Sequence, residues 1–189
     1  MLAEFGMRPR FGWRGTAVMV AAGIAPDLDV VAKLAGDQFF WQLHHALGHG
    51  LLPISMIAAA VAGIGRAVFK MPWDGFVFGW CLVAAAGHVL TDALYWWGIN
   101  VLWPFGRVEI CFHVLEYLDL LVLAIWLIGA VMLYRTSGRG RAVAATTLGV
   151  FAIYVGLRAV LPPPTGVWHW LTGGWMYAAP QGTPVLDWW

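Results

Sequence analysis

Three short clusters of aspartate and histidine interrupt an otherwise apolar chain. Asp27 and Asp29 stand in Ala-Pro-Asp-Leu-Asp, and His44 and His49 in His-His-Ala-Leu-Gly-His. His88 and Asp92 stand in Gly-His-Val-Leu-Thr-Asp. Carboxylate and imidazole are ligands for hard and borderline divalent metals. Ionisable groups in membrane helices cost roughly 2.5–3.5 kcal/mol each on insertion scales, so they point to function by default. His88 and Asp92 are spaced so that, on a helix, they share a face with Cβ atoms about 6 Å apart. That is close enough to hold one ion. A buried His–Asp hydrogen bond that only ties helices together uses the same spacing. Asp27 and Asp29 are separated by a rotation of about 200° on a regular helix. They serve one site only where the helix is irregular, and two neighbouring metals where it is not. Pro-Asp is also ordinary turn or cap chemistry. Among the histidines, His45 and His49 share a helical face, whereas His44 and His49 diverge by about 140°. The latter pair meets only in a loop or where a helix begins, which Gly48 and Gly50 allow.

His113, Glu116 and Asp119 form a second tier. Glu116 and Asp119 can face together on a helix, and Asp119 lies deeper in an apolar run. It is the candidate for a further ligand or a general base. His113, Glu116 and His169 read as interfacial groups. Thr91, beside the candidate ligands, is expected to bond a backbone carbonyl rather than attack a substrate. The sequence shows no nucleophile elbow, no Gly-rich phosphate loop and no cysteine-based zinc motif.

These residues must be positioned by membrane helices. The chain is 61% hydrophobic and 11% charged, against about 25% charged in a soluble domain. A net charge of +1 gives no sign of a nucleic-acid partner. Cys81 falls in an apolar run and Cys111 in a connecting segment, so no disulfide is expected. No cleavable signal peptide is evident, because the apolar run after Arg14 leads straight into Pro26 and two aspartates. A span needs about 20 apolar residues. Leu51–Phe69, Gly75–Trp97 and Arg141–Leu161 qualify, and Tyr117–Tyr134 is slightly short. The first candidate, Gly15–Pro26, must continue past Asp27, Asp29 and Lys33, so its far end is expected to be buried in protein rather than lipid. The reading is an all-α, polytopic integral membrane bundle of about five helices. Residues 1–161 form the membrane-embedded helical domain, and 162–189 a Trp-rich tail at the outer face.

Alternating spans place Arg8, Arg10, Arg14, Arg66, Lys70, Arg135, Arg139 and Arg141 on one side, and Lys33, Arg107 and Arg158 on the other. The richer side is cytoplasmic by the positive-inside rule. The N-terminus is then inside and the C-terminus outside. All three clusters and Asp119 fall toward the outer face. Trp41, Trp96, Trp97, Trp103, Trp168, Trp170, Trp175, Trp188 and Trp189 share that side. They form an aromatic belt, or a platform that holds a lipid near the site.

Taken in order, the motifs resemble the membrane-bound metal-dependent hydrolases, a family of YdjM-like inner-membrane proteins. Members show Pro-Asp-x-Asp at the end of the first helix, as at Pro26, Asp27 and Asp29. They continue with His-Arg-Gly-x-Thr-His-Ser, matched in spacing by His44 to Gly50, where His45, Ala46, Gly48 and Gly50 replace the Arg, Gly, Thr and Ser. Last comes His-x-x-x-Asp with a following Gly and Pro-Phe, as at His88, Asp92, Gly98, Pro104 and Phe105. The resemblance implies residence in a bacterial inner membrane, and His44 rather than His45 as a ligand. It implies Asp27, Asp29, His44, His49, His88 and Asp92 around a divalent metal, zinc above others. The family is itself distantly similar to zinc-dependent phospholipase C. The implied function is a class, metal-dependent hydrolysis; the oxygen- and nitrogen-rich ligand set and the position of the clusters toward the outer boundary point to a phosphoester on an amphiphilic or lipid substrate at the outer face. A metal or proton transporter would use similar residues, yet the inner halves of the spans hold no ionisable group beyond Arg66 and Lys70. A third alternative is a non-catalytic membrane protein in which His–Asp pairs lock helices.

Overall fold

The computed structural model describes residues 1–36, 48–95, 99–106, 108–115, 119–136 and 138–161. A 3-10 turn, Leu2–Phe5, leads into the short helix α1, Met7–Phe11. Gly12 then reverses the chain at φ 61, a backbone region open to glycine at little cost. Helix α2, Trp13–Ile24, runs back beside α1. The reversal is tight: a Cβ on Gly15 would run into the Met7 carbonyl.

Helix α2 was expected to run on past the aspartates. Instead the α-helix stops at Ile24 and a 3-10 segment, Ala25–Ala35, takes over at Pro26. Proline lacks the amide hydrogen that an α-helix needs at that point. A 3-10 helix of eleven residues is long for its type.

Among the described residues, three helices are long and apolar enough to cross a membrane. They are α3, Leu51–Phe69, α4, Gly75–Asp92, and α6, Gly140–Val160. The expected fourth span is the 16-residue helix α5, Leu120–Arg135. At about 1.5 Å per residue it is shorter than the hydrocarbon core. The third span closes earlier than expected: α4 ends at Asp92, so Asp92 is its last residue rather than an interior one. Most of the apolar surface of these helices points outward. Only 33% of the apolar stretch of α3, 28% of that of α4 and 11% of that of α6 is buried within the protein. That is the arrangement expected when the solvent is lipid.

The core lies where α2, α3 and α4 cross, among Val18, Met19, Ala22, Ala58, Val61, Ala62, Val77 and Cys81. Small side chains dominate the closest approaches. Ala22, Ala58 and Cys81 are fully buried, and a Cβ on Gly65 would sit 3.1 Å from Val18. Small residues let helices approach in lipid, where apolar burial alone gives little drive. Helices α5 and α6 pair separately, with Gly129 against Thr147 and Trp126 on Phe151. The pair is fastened to the N-terminal turn, where Arg141 Nε donates to the Glu4 carbonyl at 3.3 Å. Glu4 is itself buried and paired with Arg8 at 2.8 Å.

One feature of the α4–α5 connection was not expected. Strands β1, Ile99–Asn100, and β2, Glu109–Ile110, pair antiparallel with Ile99 opposite Ile110. The chain then returns to the end of α4. Phe112 N donates to the Ala93 carbonyl, and Val114 N and Leu115 N both donate to that of Leu94. These bonds satisfy carbonyls that a helix end leaves open.

A candidate metal centre at one end of the bundle

Four of the expected ligands meet. Donor atoms of Asp27, His49, His88 and Asp92 all lie within 4.8 Å of one another. His49 Nε2 is 2.7 Å from Asp92 Oδ2, and His88 Nε2 is 3.2 Å from the same oxygen. Asp27 Oδ1 is 3.2 Å from His88 Nε2 and 3.9 Å from His49 Nε2. The imidazole centroids are 5.6 Å apart.

Each residue reaches the site by a different device. His88 and Asp92 lie one turn apart on α4, as their spacing requires. Thr91 stands between them and donates to the Gly87 carbonyl at 2.8 Å, the backbone bond expected of it. Asp27 comes from the 3-10 segment just after Pro26. Successive residues there turn by about 120° rather than about 100°, so Asp27 and Asp29 take different directions. Asp27 faces His88, while Asp29 lies against the chain at Gly48.

His49 stands just before α3, between two glycines. A Cβ on Gly48 would be 2.9 Å from the Pro26 carbonyl oxygen and 3.1 Å from Asp29 Oδ2. A Cβ on Gly50 would be 2.9 Å from the Trp103 carbonyl oxygen. The absence of side chains lets the loop pass between the 3-10 segment and the β1–β2 connection. Leu51 N donates to the Val101 carbonyl at 2.9 Å and fixes the start of α3 there. His49 is thereby driven inward and is 2% exposed.

The electrostatics favour a cation. Asp92 closes the C-terminus of α4, where the helix dipole already carries negative partial charge. A second carboxylate, Asp27, is directed at the same point. In tetrahedral zinc sites with bonds of about 2.0–2.1 Å, ligand atoms are about 3.3 Å apart. The four His–Asp separations, 2.7 to 3.9 Å, fall around that spacing, and the whole set lies within 4.8 Å. Two imidazoles and two carboxylates are a donor set that can hold a divalent ion. Burial is uneven. The His49 side chain is 3% exposed and that of Asp27 51%, so the cluster opens on the Asp27 side. Ile24, Leu28 and Leu90 are exposed apolar residues close by in sequence to the ligands.

Asp29 and Asp119, also expected at the site, lie elsewhere. Asp29 is outside the four-residue group, beside Gly48. Asp119, expected as a further ligand or general base, is the N-cap of α5 and 4% exposed. Its Oδ1 accepts from Leu121 N at 3.0 Å and Val122 N at 3.1 Å, and its Oδ2 accepts from the Tyr154 hydroxyl at 2.5 Å. These three bonds cap α5 and tie it to α6, and Asp119 is not among the four residues of the cluster. His44, His45, Arg107, Glu116 and the 162–189 tail lie outside the described residues. His113 adopts φ 50, beside Cys111. Two polar groups were missed in the sequence. Asn100 presents a buried Oδ1 with no partner among the described residues, on the strand that packs against Gly50. Tyr154 reaches Asp119 across 35 residues of sequence, a separation that no local pattern records.

No curated protein and no solved structure matches the chain. A family model described as YdjM inner membrane protein matches residues 1–163. With its apolar helices, this makes the protein an integral membrane protein. The match covers most of the sequence, including every ligand of the cluster, and the chain belongs to the YdjM inner membrane protein family.

Proposed function

We propose that this protein is a metal-dependent membrane hydrolase that cleaves a phosphoester of an amphiphilic or lipid substrate at the outer face of the membrane. The observation that carries the reading is the convergence of four donor atoms from three separate segments within 4.8 Å. His49, His88 and Asp92 would hold the ion from the protein side, and Asp27 from the open side. A divalent ion bound there, zinc above others, supplies Lewis acidity to ester hydrolysis. To become ligands, His49 and His88 must give up any proton on Nε2 that now points at a carboxylate. Asp27, the most exposed of the four, lies on the side from which water and substrate reach the cluster. Asp29 and the two glycines keep the His49 loop in register. The apolar neighbours of Asp27 suit an acyl or prenyl chain, with the ester at the level of the carboxylates.

One observation favours a second reading. The 2.7 Å contact between His49 and Asp92 is itself a good hydrogen bond, and it ties the start of α3 to the end of α4. In that case the cluster is a helix lock without metal. Elemental analysis of the purified protein separates the two readings. Near-stoichiometric metal that falls in Asp92→Ala and His88→Ala, with the fold retained, supports the metal centre. Activity is then tested on metal-loaded protein in liposomes with phospholipid, isoprenyl phosphate and soluble phosphoesters. Turnover abolished by chelator and by Asp92→Ala supports hydrolysis. Full metal occupancy with no product from any ester assigns a binding role instead.

A further inference from the structure

Arg158 lies in the last turn of α6. A basic residue there complements the helix dipole, and a membrane arginine normally carries its guanidinium out to water or head groups. Arg158 departs from that pattern. Its Nη1 is buried and has no hydrogen-bond partner among the described residues. The guanidinium is close enough to interact with the Tyr154 phenol, one turn earlier. That phenol donates to Asp119 Oδ2 at 2.5 Å, and Asp119 Oδ1 is held by the first amides of α5. The arginine thus stands against a hydrogen-bonded Tyr154–Asp119 pair, with Nη1 unspent among the described residues. A buried, unpaired donor on a charged group is costly. It is the arrangement expected where an anionic acceptor belongs.

This group lies at the same end of the bundle as the metal cluster. Leu115 N bonds the Leu94 carbonyl, just beyond Asp92. Only a few residues separate Leu115 from Asp119, so the chain spans at most about 14 Å between them. The Tyr95 phenol interacts electrostatically with both Asp92 and Asp119. Arginine is the side chain whose planar fork fits phosphate oxygens.

We propose that Arg158, braced by Tyr154 and Asp119, is the binding residue for a phosphate group at this end of the bundle. The choice of phosphate rests on the phosphoester reading of the metal cluster; the need for an anion rests on Arg158 alone. The protein is reconstituted in phosphatidylcholine nanodiscs and tested both metal-loaded and with chelator. Inorganic phosphate is one probe, and phosphatidic acid incorporated in the disc is the other. Arg158→Gln should weaken binding by about tenfold or more with or without metal. Arg158→Lys, which keeps the charge but loses the fork, should fall between. Saturation by inorganic phosphate identifies a soluble phosphate, and a response confined to phosphatidic acid identifies a head group. Equal affinity in wild type and Arg158→Lys, or no response to either probe, overturns the proposal. Arg158-dependent binding in a protein that never takes up metal removes the metal reading and leaves this one standing.

Discussion

Asp92→Asn separates a metal centre from a helix lock, because the two make opposite demands on the protein without metal. Structural zinc contributes about 10 kcal/mol or more of binding free energy. Shared over four ligands, one ligand is worth about 2.5 kcal/mol, or roughly 60-fold in affinity. At a zinc concentration of 100 times Kd, the wild type gains about 2.7 kcal/mol of stability, or about 5–11 °C in Tm for a chain of this size. At the same concentration Asp92→Asn should gain only about 0.6 kcal/mol, or 1–2 °C. In chelator the two proteins should unfold within a few degrees of each other. The variant loses contacts of 2.7 and 3.2 Å with His49 and His88. It also removes a carboxylate from a helix C-terminus, a change worth about 0.3–1 kcal/mol in its favour. Thermal unfolding in detergent, with and without zinc, gives all four values. A helix lock requires the reverse: no zinc shift in the wild type, and a clear loss of Tm in chelated Asp92→Asn. That result would refute the metal centre.

Gly48→Ala should lower metal occupancy while leaving helix content by circular dichroism unchanged, because its Cβ would meet the Pro26 carbonyl oxygen at 2.9 Å and displace His49. Asp119→Ala should cost about 1–2 kcal/mol of stability through the lost cap, with metal content unaltered; loss of metal in that variant would return Asp119 to the site. Reporter fusions after Lys70 and Arg139 should read cytoplasmic, and one after Arg107 external; an external signal at Lys70 would overturn the outward-facing site. His44→Ala should reduce metal occupancy more than His45→Ala, and the opposite order would favour plain helical spacing over the family register.

The parts of the site that are legible in the sequence are those set by local periodicity. His88 and Asp92 needed only a helix beneath them, and the apolar run supplied it. His49 was legible because the glycines on either side allow a loop. Asp27 and Asp29 could not be separated, because their directions depend on whether the helix beyond Pro26 is α or 3-10. Two-residue strands such as β1 and β2 have no period to detect, so the brace behind Gly50 was invisible. The role of Asp119 did leave a signal: an aspartate directly before Leu-Leu-Val is an N-cap pattern. Its position at the start of an apolar run is equally that of a membrane carboxylate available for chemistry. Tyr154 and Arg158 join it only through the packing of α6 on α5.

The uneven burial of the four ligands also sets how fast an ion would leave. Two of them come from the end of α4 and one, buried, from the entry to α3, and the fourth, Asp27, is on an exposed 3-10 segment. An ion held there need not wait for the bundle to unfold. Swinging Ala25–Ala35 aside breaks one ligand bond and admits a competitor from the same direction. Exchange would then follow the opening rate of that short segment. A chelator would strip the centre quickly from a protein whose helices remain fully assembled.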